Sequence, residues 1–213
     1  MQFRFHLCVA LCVLSFVVSA CAAASSNTVP SGTMLFQDDF SSPASGWDRY
    51  KSAEGTMDYD GGAYRIVVNA LQVNFWSTPH KDFDNVRIEV DAGKIAGPDE
   101  NRIGLICRYT NNQYYFFVIS SDGYYGIGIF NNGQSALLGQ TQMQSSDKIK
   151  TGTAINHLRA DCNGDTLSLV ANGLLVTQVH DPSLKHGDVG LLAGTFTHPG
   201  VDIIFDNFVV MKP

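Results

Sequence analysis

The stretch Leu158-Arg159-Ala160-Asp161-Cys162-Asn163-Gly164-Asp165-Thr166-Leu167-Ser168-Leu169-Val170-Ala171-Asn172-Gly173-Leu174-Leu175-Val176 decides the fold class. It holds two Asn-Gly dipeptides with one short β-rich run between them. Asn-Gly accepts φ > 0 at both central positions, as a type I′ hairpin demands. Before the first turn, Leu158, Ala160 and Cys162 share one face and Arg159 and Asp161 the other, the period of a half-buried strand. The same punctuation recurs outward, at Asp60-Gly61, Asp122-Gly123 and Asn132-Gly133. Val86, Ile88 and Val90 alternate with Arg87, Glu89 and Asp91; Leu105 and Cys107 share a face opposite Ile106 and Arg108. No helical period is sustained after Met34. The pattern predicts strands over 63–68, 72–77, 86–94, 103–109, 114–120, 124–130, 135–139, 155–161, 166–171, 174–179, 189–193 and 201–210. About twelve strands in one domain, 34–213, make an all-β sandwich or barrel.

The 213 residues are 45% hydrophobic and 16% charged, against roughly 25% charged in an average soluble protein. That apolar content is ample for a core and excludes disorder. The balance of 14 basic against 20 acidic residues, net −6, lacks the basic face that neutralising phosphates requires, so nucleic acid is not an expected partner.

The N-terminus reads as an address. Arg4 precedes an apolar run from Leu7 to Val18, broken only by Ser15, and small residues follow. This is the order of a secretory signal. The run is short of the roughly 20 residues that span a bilayer, although counting the alanines to Ala24 leaves a membrane anchor as the alternative. Val18-Ser19-Ala20-Cys21 resembles the bacterial lipobox. That resemblance implies a signal over 1–20 and a lipidated Cys21 at the new N-terminus; an ordinary signal with a chance cysteine is the other reading. Multiple acyl chains anchor stably. Residue 22 is Ala rather than the Asp that marks inner-membrane retention, so the expected location is extracytoplasmic, on the outer membrane where the organism has one. Residues 21–33 read as the lipidated cysteine and a flexible tether rich in Ser, Pro and Gly. The mature chain keeps 20 acids and 13 bases, a charge of −7.

Of five cysteines, Cys8 and Cys12 leave with the signal and Cys21 takes lipid. Cys107 and Cys162 remain as an even pair in an exported domain and are expected to form a disulfide, the alternative being two buried free thiols. Neither lies in a CxxC or beside a histidine, so metal and redox roles lack support. The alternation then puts both cysteines in the core, with Arg108 and Arg159 on the outward side of a single sheet.

Scattered pieces of the chain resemble the concanavalin A-like lectin/glucanase superfamily, in particular its laminin G-like and 3-keto-disaccharide-hydrolase-like members. They are Leu35-Phe36-Gln37-Asp38-Asp39-Phe40, Ser45-Gly46-Trp47, Asp60-Gly61-Gly62-Ala63-Tyr64-Arg65-Ile66, Gly104-Leu105-Ile106-Cys107-Arg108-Tyr109, Val189-Gly190-Leu191-Leu192-Ala193-Gly194 and Ile204-Phe205-Asp206-Asn207-Phe208. The resemblance implies a jelly roll of two curved antiparallel sheets with first and last strands adjacent, and a ligand, often glycan, on one sheet or its rim. It also implies a structural calcium, with Asp206 as ligand and a carbonyl from the turn at Gly61; oxygen donors suit that ion. No other cofactor is expected.

Laminarinase-type relatives carry Glu-x-Asp-x-x-Glu, a retaining pair of carboxylates. Here the string is Glu89-Val90-Asp91-Ala92-Gly93-Lys94, and Lys94 stands where the acid/base should be. This argues against a retaining glycosidase. Gly133-Gln134-Ser135-Ala136-Leu137 misses Gly-x-Ser-x-Gly, and the histidines form no close pair. Sugar binding needs aromatic platforms with polar groups beside them. Trp76, Tyr115, Tyr125 and Arg108, with Arg159, are the candidates, each weighed against a place in the core or a cross-strand ion pair with Asp161 or Glu89. The expected function is that of an exported, membrane-anchored, lectin-like module binding carbohydrate or another extracellular ligand without catalysis. A glycoside hydrolase with an unrecognised site, and a structural or protein-interaction domain of the envelope, are the alternatives.

Overall fold

The computed structural model describes residues 30–213; the signal, Cys21 and most of the tether lie outside them. Sixteen strands form: β1 Met34–Asp38, β2 Tyr50–Ser52, β3 Gly55–Asp60, β4 Ala63–Val68, β5 Asn74–Ser77, β6 Val86–Ala96, β7 Asn101–Thr110, β8 Gln113–Ile119, β9 Tyr124–Asn131, β10 Gln134–Leu137, β11 Gln144–Ser145, β12 Asn156–Asn163, β13 Thr166–Ala171, β14 Leu174–His180, β15 Asp188–Thr195 and β16 Val201–Met211. All twelve expected strands are present. The four additional ones (β1, β2, β3 and β11) are short or carry much polar sequence, so periodicity alone does not announce them.

The strands pair into two antiparallel sheets, the all-β sandwich expected of a jelly roll. The nine-stranded sheet runs β14-β13-β12-β6-β16-β4-β3-β2, with β1 also on β16; the seven-stranded sheet runs β10-β9-β8-β7-β15-β5, with β11 on β9. First and last strands are adjacent, Gln37 opposite Val209. Trp47 fastens β1 to the interior: its Nε1–H donates to Asp38 Oδ2 at 2.9 Å, and its ring meets Phe208 edge-on.

The turns are sharper in detail than the dipeptides suggested. Asn132-Gly133 and Asn172-Gly173 have φ > 0 at both residues, as expected. Asn163 and Thr166 pair, so that loop is Gly164-Asp165; Asp60 and Ala63 pair, so the other is Gly61-Gly62. The β7–β8 turn is Asn111-Asn112, both at positive φ, a pair the Asn-Gly rule passes over.

Between the sheets lies the main core, drawn from Ile66, Ile88, Val90, Leu158 and Phe205 on one side and Leu105, Tyr115, Phe117, Ile127 and Leu191 on the other. The Cys107–Cys162 disulfide is present, with Cα atoms 6.8 Å apart. It corrects one expectation. Cys107 belongs to the seven-stranded sheet and Cys162 to the nine-stranded one, so Arg108 and Arg159 do not share a sheet. β7 and β12 face each other across the core, and the bond bridges them.

Candidate functional site

The outer faces of the two sheets differ in chemistry. That of the nine-stranded sheet is a ladder of mutual ion pairs. Arg87 Nε lies 2.9 Å from Asp161, Arg159 Nε 3.0 Å from the same carboxylate, and His157 Nδ1 2.8 Å from Asp91 with Nε2 3.4 Å from Glu89. Lys94 donates to the Gly97 carbonyl at 2.9 Å and to Asp99. The Glu89–Lys94 string is therefore occupied by cross-strand and local pairing.

The outer face of the seven-stranded sheet is apolar, and alternation explains it. Tyr114, Phe116 and Val118 of β8 project outward while Tyr115, Phe117 and Ile119 enter the main core. Across the face, bulky residues meet glycines in register: Trp76–Leu192–Gly104–Val118–Gly126 and Gly190–Ile106–Phe116–Gly128. A Cβ on Gly128 would run into the Phe116 ring, so the missing side chains are what lets the large ones lie down. Trp76 sits 5.6 Å from Tyr114, and Phe130 stacks on Tyr114 at 5.0 Å. These rings, with Leu137 and Met143, form a second apolar cluster outside the sandwich.

A trough runs along one end of this face. One part, about 310 Å³, is lined by Gln72, Asn74, Arg102 and Val118. The other, about 630 Å³, is lined by Glu100, Ser120, Asp122, Tyr124 and Gln142. Leu137, Met143 and Phe196 border both. Arg102, from the start of β7, is held rigidly. Its Nη1 donates to Asn74 Oδ1 at 3.0 Å and to the Thr195 carbonyl at 2.8 Å, and its guanidinium carbon lies 3.7 Å over the Phe196 ring centre, a cation–π contact. Burial pulls Arg102 below its ordinary pKa. Tyr124 is 42% exposed. Glu100 accepts from the Thr197 hydroxyl at 2.7 Å, and Asp122 from that of Ser120. An aromatic edge, one cation and two exposed carboxylates suit a ligand with apolar C–H patches and many hydroxyls.

The expected site residues scatter. Trp76 lies half-buried on this face and also borders an apolar hollow of about 240 Å³ with Tyr50 and Met57. Arg159 is on the opposite sheet, paired with Asp161. Arg108, expected to point outward, is 1% exposed. A bulge interrupts β7 between Cys107 and Thr110, Arg108 takes φ 55°, and the side chain turns inward. There it donates to the carbonyls of Leu184 at 2.7 Å and Gly164 at 2.9 Å and to Asn85 Oδ1 at 3.2 Å. Tyr115 is fully buried, its hydroxyl donating to Asp181 Oδ1 at 2.5 Å and accepting from the Leu184 amide at 3.0 Å; burial, with the Asp181 bond, pushes its pKa up to about 12. Tyr125 packs against the main core. In both Tyr-Tyr pairs, the member chosen from sequence is the inward one. Tyr125, Ile127 and Ile129 alternate with Gly126 and Gly128, and only the first set fills volume; that signal marks Tyr124 as the outward residue. Arg102 and Phe196 had no such signal.

Asp206 is on β16, its Oδ1 accepting the Asn207 amide at 2.7 Å, and Gly61 is in the β3–β4 turn. Among the described residues, no three His, Cys, Asp or Glu gather as a metal site.

No family model and no curated protein matches the chain. Solved structures do. The carbohydrate-binding module CBM66 from Bacillus subtilis is 17% identical, with a TM-score of 0.55 over 78% of this chain and 96% of that one. A protein of unknown function with galectin-like fold from Bacillus subtilis is 12% identical, with a TM-score of 0.62 over 86% and 97%. The endo-beta-1,3(4)-glucanase SCLam of family GH16 is 9% identical, with a TM-score of 0.61 over 87% and 93%. At these identities the likeness is one of fold: a sandwich of two antiparallel sheets, found in a carbohydrate-binding module and in a glucanase alike.

Proposed function

We propose that this chain is an exported lipoprotein, held to the membrane through Cys21, whose sandwich binds carbohydrate without catalysis. The carrying observation is the trough on the outer face of the seven-stranded sheet, where Arg102, Tyr124, Phe196, Glu100 and Asp122 converge beside an aromatic, glycine-paved surface. The sharing of fold with a carbohydrate-binding module supports the same reading. Fold by itself leaves function open, so the trough carries the weight. A glycan array probed with the purified protein tests it: binding of an oligosaccharide that Phe196→Ala and Tyr124→Ala abolish is expected, and an array without signal overturns it. Metabolic labelling with palmitate tests the anchor; Cys21→Ser should lose the label. Any calcium held by Asp206 and the Gly61 carbonyl is a structural brace in this reading, since Asp206 lies on the nine-stranded sheet and Gly61 in a turn between two of its strands. Melting in EDTA against millimolar calcium reads it.

A second reading has one observation in its favour: Glu100 and Asp122 border the same cleft, and two carboxylates flanking a glycosidic bond make a hydrolase. Release of reducing sugar, lost in Glu100→Gln and Asp122→Asn, would establish it over binding alone.

A further inference from the structure

Arg102 differs from the other described arginines in what its guanidinium holds. The Nε and Nη2 hydrogens form one edge of the group, a two-donor fork that fits both oxygens of a carboxylate. Arg49 uses that edge on Asp58, with Nε and Nη2 at 2.6 and 3.1 Å from the two oxygens. Arg65 uses it on Asp202, at 2.8 and 2.6 Å, and Arg159 turns it on Asp161. Arg87 donates through Nε to Asp161, and Arg108 spends its donors on carbonyls and Asn85. In Arg102 only Nη1 is engaged, by Asn74 and Thr195; Nε and Nη2 have no partner among the described residues. Neither is a buried orphan, so solvent reaches both. The plane of the fork is set by Phe196 beneath it and by two hydrogen bonds behind it.

From this we infer that the trough takes an acidic sugar, with its carboxylate on the free edge of Arg102. The inference rests on the carbohydrate-binding reading above and names the class of sugar. Within the same trough, Glu100 lies two residues before Arg102 with its carboxylate on the Thr197 hydroxyl. Asp122, in the part of the trough that Arg102 does not line, sets the polarity of the ligand, its carboxylate on Arg102 and only hydroxyls beside Asp122. A pre-oriented fork loses little freedom on binding, and replacing the carboxylate by a methyl ester removes the charge and blocks one of the two acceptor oxygens.

The experiment compares four probes by titration calorimetry: oligogalacturonate, its fully methyl-esterified form, N-acetylneuraminyl-lactose and lactose. The expected result is that an acidic probe binds about ten-fold or more tighter than its neutral counterpart, and the two acidic probes tell a uronic acid from a nonulosonic one. That comparison uses the unaltered protein and is independent of how any variant folds. Arg102→Lys, which keeps the charge but loses the fork, should cut the preference sharply, and Arg102→Gln should erase it. Equal affinity for acid and neutral forms overturns the acidic-sugar inference while leaving carbohydrate binding in place. Undiminished preference in Arg102→Gln overturns the role of Arg102. Binding of none of the four, together with a silent glycan array, overturns both.

Discussion

Cys107 of β7 and Cys162 of β12 join the two sheets through the middle of the core, and neither is exposed at all. The bond closes a span of 55 residues and crosses the one interface that global unfolding must open. The chain-entropy account assigns such a loop about 4 kcal/mol. The double variant Cys107→Ala/Cys162→Ala should lose that order of unfolding free energy in urea titration. A loss below about 1 kcal/mol would mean that the unfolded chain is not the state the bond constrains.

Arg108 is a structural cation. Removing it leaves the Leu184 and Gly164 carbonyls without their donor in a buried place and opens a cavity. Arg108→Met should cost about 3 kcal/mol or more. The fraction that folds should bind ligand with unchanged affinity, because the side chain faces the core. Weakened binding at unchanged stability would contradict the placement.

Tyr115 makes an alkaline limb in the stability profile. Its folded pKa is raised from 10.0 to about 12, first by burial and then by its bond to Asp181. The neutral phenol is thus the form the fold prefers. The associated stability is fully present below pH 10, where both states are protonated, and is lost as pH rises towards 12. Denaturant midpoints measured from pH 8 to 12 should fall along that limb. Tyr115→Phe should make it shallower without removing it, since burial also pushes up the pKa of Tyr64 and Tyr114, at a cost of about 1 kcal/mol near neutrality for the lost hydrogen bonds.

Tyr124 and Tyr125 should behave oppositely. Tyr124→Ala, at an exposed position in the trough, should change stability by no more than about 0.5 kcal/mol while ligand affinity falls about ten-fold, as loss of a stacking platform does. Tyr125→Ala should cost about 2 kcal/mol of stability through lost packing and leave affinity unchanged. Calorimetry and denaturation on the two variants decide which tyrosine faces the ligand.

Much of the fold is legible in the sequence. The alternation in 86–91 and 158–162 placed Val86, Ile88, Leu158 and Cys162 inside, and they are. Elimination among the cysteines paired Cys107 with Cys162. The candidate site is legible only in part. Trp76 lies on the outer face of the seven-stranded sheet, whereas Tyr115 and Tyr125 pack towards the core and Arg108 is buried; alternation assigns two faces without saying which is the core when both are apolar. β8 reads Tyr114-Tyr115-Phe116-Phe117, and either set could be inside.

Sequence by itself determined the all-β class, twelve of the strands and the hairpins at Asn132-Gly133 and Asn172-Gly173, since turn chemistry and a period of two are local properties of the backbone. Tertiary structure decided three further matters. It set which sheet each cysteine serves, because strand order, which long-range pairing fixes, puts β7 and β12 in facing sheets. It turned Arg108 inward, because a bulge at positive φ breaks the alternation on which the outward reading depended. And it left the Nε–Nη2 edge of Arg102 open in a trough. That vacancy depends on Asn74, Thr195 and Phe196 arriving from other parts of the chain, and no pattern along the sequence records it.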